Sequence, residues 1–154
     1  MIPNERPEPP PPPPTELVGR YLWMIDLHDQ AMFEIRFYRE ILRREPNDVP
    51  ALRRQAKLLS DNGACRQALV LSRRLAALRP GDPAALYNLA CNLVLTRRGD
   101  EALATLREAI HCGFDDLGQL RIDEDFDAMR EHPDFVAIMQ ELAAREAKEE
   151  PSAC

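Results

Sequence analysis

The feature that most constrains this chain is a pattern that recurs at a fixed interval of about 34 residues. Leu52, Ala56, Leu59, Ala68 and Leu69 reappear as Leu86, Ala90, Leu93, Ala102 and Leu103, while Pro80 is answered by Phe114. Stepping back by the same interval meets Val18, Leu22, Ile25, Ile35 and Pro46. The linkers recur as well, Pro46-Asn47-Asp48 matching Pro80-Gly81-Asp82. Within one period Leu86, Leu89, Ala90 and Leu93 fall at i, i+3, i+4 and i+7, the stripe of one helix. Ala102, Leu103, Leu106, Ala109 and Ile110 form the stripe of the next. Each period is therefore a pair of helices. One pair cannot bury both its faces, so successive pairs must stack.

The breaks agree with this division. From Thr15 onward proline is confined to Pro46, Pro50, Pro80, Pro83, Pro133 and Pro151, between the periodic segments. No segment alternates with period two, so no strand is expected. Residues 1–14 carry Pro3, Pro7 and an unbroken run from Pro9 to Pro14. That stretch predicts an extended polyproline arm, read as a spacer, with recognition by a proline-binding domain as the alternative.

Residues 83–112, with Leu86, Tyr87, Asn88, Leu89, Ala90, Gly99, Glu101, Ala102, Leu103, Leu106 and Ala109, resemble a well-kept tetratricopeptide repeat. Residues 49–82 resemble a second copy through Leu52, Ala56, Gly63, Ala68 and Pro80. Residues 15–48 look like a degenerate copy, departing from the family at Leu22 and Glu34 where small residues are wanted. The segment Asp123–Phe135 resembles the piece that closes many bacterial arrays of this kind, which suggests a bacterial source. The resemblance implies an all-α fold, a short right-handed α-solenoid of tetratricopeptide-type hairpins with C-terminal capping helices. The expected division is a proline-rich arm (1–14), a degenerate hairpin (15–48), two repeats (49–82 and 83–113), a capping segment (114–147) and a tail (148–154). In the cap, short helices are expected near Asp116–Leu120 and Glu124–Arg130. A longer one starts at Pro133 with the stripe Phe135, Ile138, Met139 and Leu142.

In this family the first helix of each hairpin lines a concave groove. Carried over residue by residue, the resemblance puts Arg20 and Trp23, then Arg53, Arg54 and Lys57, then Tyr87, Asn88 and Cys91 in that groove. The three cations sit at i, i+1 and i+4 of one helix, and such a surface suits an acidic peptide. The alternative is a solvated basic face. The family's carboxylate clamp is incomplete: Arg53, Lys57 and Asn88 fall at its first positions, but the last pair falls on Gly118 and Ile122.

Other chemistry finds little support. The net charge is −6, which disfavours a broad nucleic-acid surface. No run approaches the roughly 18 apolar residues that cross a bilayer, and the N-terminus has no apolar signal core, so a cytoplasmic address with no membrane partner is expected. Cys65, Cys91, Cys112 and Cys154 form no C-x-x-C pair and read as free thiols, although their even number leaves a disulfide open. His111 with Cys112, and Cys91 with His132, lack the short spacings that aim two ligands at one ion, so no metal and no cofactor are expected. Asp123, Asp125 and Asp127 alternate as calcium ligands do but lack the turn glycine and distal glutamate. Asp26, His28 and Asp29 lie too close along one helix end for a triad. The expectation is an adaptor that binds a protein or peptide, not an enzyme. A structural subunit of a larger assembly, or a regulatory module of a signalling system, are the alternatives. Phe33, Phe37 and Tyr38 are expected to pack against residues 49–60, with an exposed edge open to self-association as the alternative.

Overall fold

Asp48 and Asp82 stand one period apart and begin two helices in the same way. The Asp48 carboxylate accepts from the Ala51 N–H at 2.7 Å, and that of Asp82 from the N–H groups of Ala84 and Ala85 at 3.0 and 3.1 Å. Each satisfies donors that the first helical turn leaves free, and Pro50 and Pro83 follow where a missing N–H costs nothing. In the computed structural model, which describes the backbone of residues 15–149 and the side chains of residues 30–148, the order is α1 (Thr15–Arg44), α2 (Val49–Asp61), α3 (Cys65–Leu78), α4 (Pro83–Leu95) and α5 (Gly99–His111). Then come α6 (Leu117–Ile122), a 3₁₀ turn (Glu124–Met129) and α7 (Pro133–Glu149). The described residues are helical with no strand. The expected proline arm and most of the expected tail lie outside them.

The hairpins α2–α3 and α4–α5 match position by position. Leu52 and Leu86 are the fourth residues of α2 and α4, and both are buried. Ala56, Ala68, Ala90 and Ala102 are buried too, so no bulky side chain holds the paired helices apart. Neighbours in sequence pack in space, α1 on α2, α2 on α3, α3 on α4 and α4 on α5. The turns repeat as well. Gly63 N–H donates to Ser60 O and Ala64 N–H to Leu59 O, while Arg97 N–H donates to Val94 O and Arg98 N–H to Leu93 O. This closure needs a left-handed residue just past the helix, and φ is 76° at Gly63 and 62° at Arg97.

Over residues 15–48 the expected degenerate hairpin is replaced by one continuous helix, α1. The physical reason lies at its middle. Asp29 stands one period before Gly63, and no glycine or proline occurs between Arg20 and Arg44. With no residue suited to a left-handed turn, the chain gains another hydrogen bond by continuing the helix.

Past α5 the chain folds back onto α4 and α5. The α7 stripe Phe135, Ile138 and Leu142 is buried against the α4–α5 hairpin and α6, with Met139 half-buried at its edge. Phe126, at the centre of the 3₁₀ turn, is wholly buried. Its ring stacks on Phe135 at 5.6 Å between centroids, and the Arg130 guanidinium lies over the Phe135 ring at 5.7 Å. Arg130 also donates to the carbonyls of Leu120 and Asp123 at 3.1 and 2.9 Å, which ties α6 to the start of the turn.

Arg97 holds a left-handed conformation where the equivalent residue of the preceding hairpin is glycine. Arg97→Gly is expected to stabilise the fold by about 0.5–1 kcal/mol, the left-handed penalty less the added chain entropy. Urea unfolding of the two chains measures it, and a destabilised variant would contradict the shared turn geometry.

Candidate functional site

Between α2, α4 and the 3₁₀ turn lies a cleft of about 60 Å³ whose walls include Arg53, Lys57, Asp61, Asn88, Cys91 and Asp125. The repeat register explains the two helical walls. Arg53 and Tyr87 are equivalent positions, as are Lys57 and Cys91, and both pairs belong to the first helices of their hairpins, which run beside each other. The third wall comes from the acidic segment after α6, which packs on α4.

Of the residues expected in a groove, Arg53, Lys57, Asn88 and Cys91 are brought together on this cleft. Arg54 stands away from it, its guanidinium donating to Glu34 of α1 at 2.6 and 3.1 Å. Tyr87 is only 3 % exposed and so is closed to an outside ligand. Its ring stacks on Phe114 at 4.4 Å and lies 5.8 Å from Phe126. The turn that carries Phe126 covers the face a groove tyrosine would present. The side chains of Arg20 and Trp23 lie outside the described residues.

None of the three cations is free. Arg53 pairs with Asp82 at 2.7 Å, Arg54 with Glu34, and Lys57 with Asp61 at 3.1 Å. Burial works to raise the Asp82 carboxyl, but the N–H of Ala85, the Arg53 guanidinium and the N–H of Ala84 outweigh it and hold the group below its ordinary range. By contrast, Asp123 and Asp125 have no ion pair among the described residues. Asp123 accepts hydrogen bonds from the Tyr87 phenol and, at 3.7 Å, from the Cys91 thiol. Burial first, and then the Asp123 carboxylate, push both the Tyr87 phenol and the Cys91 thiol well above their usual values. The Asp125 carboxyl is raised by its burial and by the charge of Asp123, with Cys91 and Lys57 acting more weakly in the opposite sense. The cleft thus joins cations already neutralised by their own chain to a pair of carboxylates that are not.

Sequence reasoning missed Asp123 and Asp125 as parts of this site. Their alternation is legible, but it reads equally as charge at a helix start, and it does not reveal that Phe126 would drive the segment against α4. Cys65, Cys91 and Cys112 are free thiols, as expected, and Cys154 lies outside the described residues. No helix among the described residues is long and apolar enough to cross a membrane. A scan against protein-family models and a search of curated proteins both find no match to the chain.

Asp82 both caps α4 and holds Arg53, so Asp82→Ala should lower stability by about 1 kcal/mol at neutral pH. The folded carboxyl is depressed, so this contribution is complete above the unfolded value near 3.9 and is lost as pH falls through the folded one. Urea titrations from pH 7 down to about pH 3 should show a constant gap that narrows only below about pH 4. A gap unchanged in acid would place the effect elsewhere.

Proposed function

We propose that the protein is an interaction module of the tetratricopeptide kind, a short right-handed solenoid that takes a segment of a protein partner in this cleft. The observation that carries this reading is the meeting of Arg53, Lys57, Asn88 and Cys91, the residues that the family resemblance assigns to a groove, on one concavity. The matching lengths and turns of α2–α3 and α4–α5, and the shared aspartate caps of α2 and α4, support it further. The module acts by recognition alone and makes or breaks no bond.

Its preference for an acidic segment rests on Lys57. The Lys57–Asp61 pair is 66 % and 54 % exposed, so exchanging Asp61 for a partner's carboxylate costs little. Arg53 is committed to the α4 cap and is a poorer candidate. Asn88 lines the same cleft and brings a side-chain amide donor to it. Against a library of acidic peptides, Lys57→Ala combined with Asn88→Ala should weaken binding at least about tenfold, the loss of roughly 1.4 kcal/mol. Arg54→Ala, off the cleft, should leave binding unchanged. If Arg54→Ala weakens binding as much as the double variant, the cleft is not the site.

A second reading, as a structural subunit, is favoured by α1. Phe33 and Phe37 are 68 % and 51 % exposed, with their rings stacked at 6.4 Å. Two adjoining exposed phenyl rings suit a permanent contact. Sedimentation of the wild type above the monomer mass, returning to monomer in a folded Phe33→Ser/Phe37→Ser variant, is the outcome expected of self-association. A monomeric wild type removes that form of the reading.

A further inference from the structure

We infer that Cys91, Asp123 and Asp125 form a site for one divalent transition-metal ion of the zinc type, at the floor of the cleft. The inference stands whether or not a partner segment occupies the cleft above. One ligand atom from each of the three residues lies within 4.8 Å of the others. Tetrahedral zinc, with bonds of about 2.3 Å to sulfur and 2.0–2.2 Å to oxygen, sets its ligands about 3.5 Å apart. Cys91 Sγ and Asp123 Oδ2 already stand 3.7 Å apart.

The electrostatics ask for a positive charge here. Two carboxylates share a half-buried corner, and the nearby cations are held by Asp82 and Asp61. A second observation is independent of the acidic pair. Asn92 lines the same cleft and is 4 % exposed, yet its Oδ1 has no hydrogen-bond partner. Its Nδ2 is fully used, donating to Ser72 Oγ and to the Asn88 carbonyl, each at 3.0 Å. A buried amide oxygen without a donor is costly. Asn92 shares the cleft wall with Cys91 and Asp125, and a polar occupant drawn into that cleft would relieve the unpaired oxygen.

The surroundings are built to orient the ligands. The Tyr87 phenol donates to Asp123 Oδ2, the Asp125 N–H donates to Asp123 Oδ1 at 3.0 Å, and Arg130 grips the Asp123 carbonyl. Hydrogen bonds of this kind fix a carboxylate's direction around a metal. A thiolate beside two carboxylates selects zinc over magnesium or calcium. Three protein ligands leave the fourth position to water on the open side of the cleft. Binding requires the thiolate, so Cys91 gives one proton to solvent for each ion taken up. The set escapes a search for short ligand spacings because Cys91 and Asp123 lie far apart in the sequence, on α4 and just past α6.

The test uses the full chain stripped with EDTA and titrated with Co²⁺ and Zn²⁺. One cobalt per chain should give a thiolate-to-cobalt band in the near ultraviolet with intense four-coordinate visible bands. Cys91→Ser should abolish the thiolate band, whereas a Cys65→Ser/Cys112→Ser/Cys154→Ser variant should keep it. Asp125→Asn should weaken zinc binding at least about tenfold by calorimetry. At equal zinc concentration the rise in Tm should be larger for the wild type than for Asp125→Asn. A thiolate band that survives Cys91→Ser, unchanged zinc affinity in Asp125→Asn, or no stoichiometric binding by the wild type overturns the assignment. Should Cys91→Ser fail to fold, Asp125→Asn decides the matter from a half-buried position where the isosteric change leaves packing intact.

Discussion

The position of Tyr87 between Phe114 and Phe126 governs what the rest of the molecule presents. Its ring joins α4 to the closing segment through two aromatic contacts, each worth about 0.5–1.5 kcal/mol beyond the area buried. Its phenol reaches Asp123 and sets the direction of that carboxylate. Phe126 and Phe135 continue the aromatic column into α7, and Arg130 pins the backbone at Leu120 and Asp123. Without that column nothing would hold an acidic turn against α4, and the cleft would lack its third wall.

Charge then decides what the cleft can accept. A carboxylate within reach of a surface cation pairs with it at small net gain, and the α2 cations have done so with Asp82, Glu34 and Asp61. The unpaired charge lies instead on Asp123 and Asp125, in a corner that also holds the Cys91 thiol. The cleft therefore sets the exposed Lys57–Asp61 pair near a thiol with two carboxylates beside it. The proposed acidic partner rests on the first feature and the proposed metal ion on the second.

Much of the helical framework was legible in the residues. The repeat register located α2 to α5, because caps and turns act locally and Asp48, Asp82 and Gly63 each impose their geometry on their near neighbours. The start of α7 at Pro133 and its buried stripe were legible for the same reason. The hairpin expected over residues 15–48 was not, since a few repeated apolar positions cannot turn a helix that lacks a glycine at the turn. Arg97 shows the converse, a left-handed turn kept by its hydrogen bonds although the residue disfavours it.

The site was legible only in part. The family resemblance named Arg53, Lys57, Asn88 and Cys91, whereas it gave no sign of the burial of Tyr87, the turning away of Arg54 or the approach of Asp123 and Asp125. The chain by itself determined which segments are helices and where the α2–α3 and α4–α5 hairpins turn, because those outcomes are settled by bonds between near neighbours. Only the tertiary structure decided which carboxylates Arg53 and Arg54 meet and which carboxylates gather beside a thiol. Those depend on side chains distant in the sequence meeting in space, and no local pattern encodes that meeting.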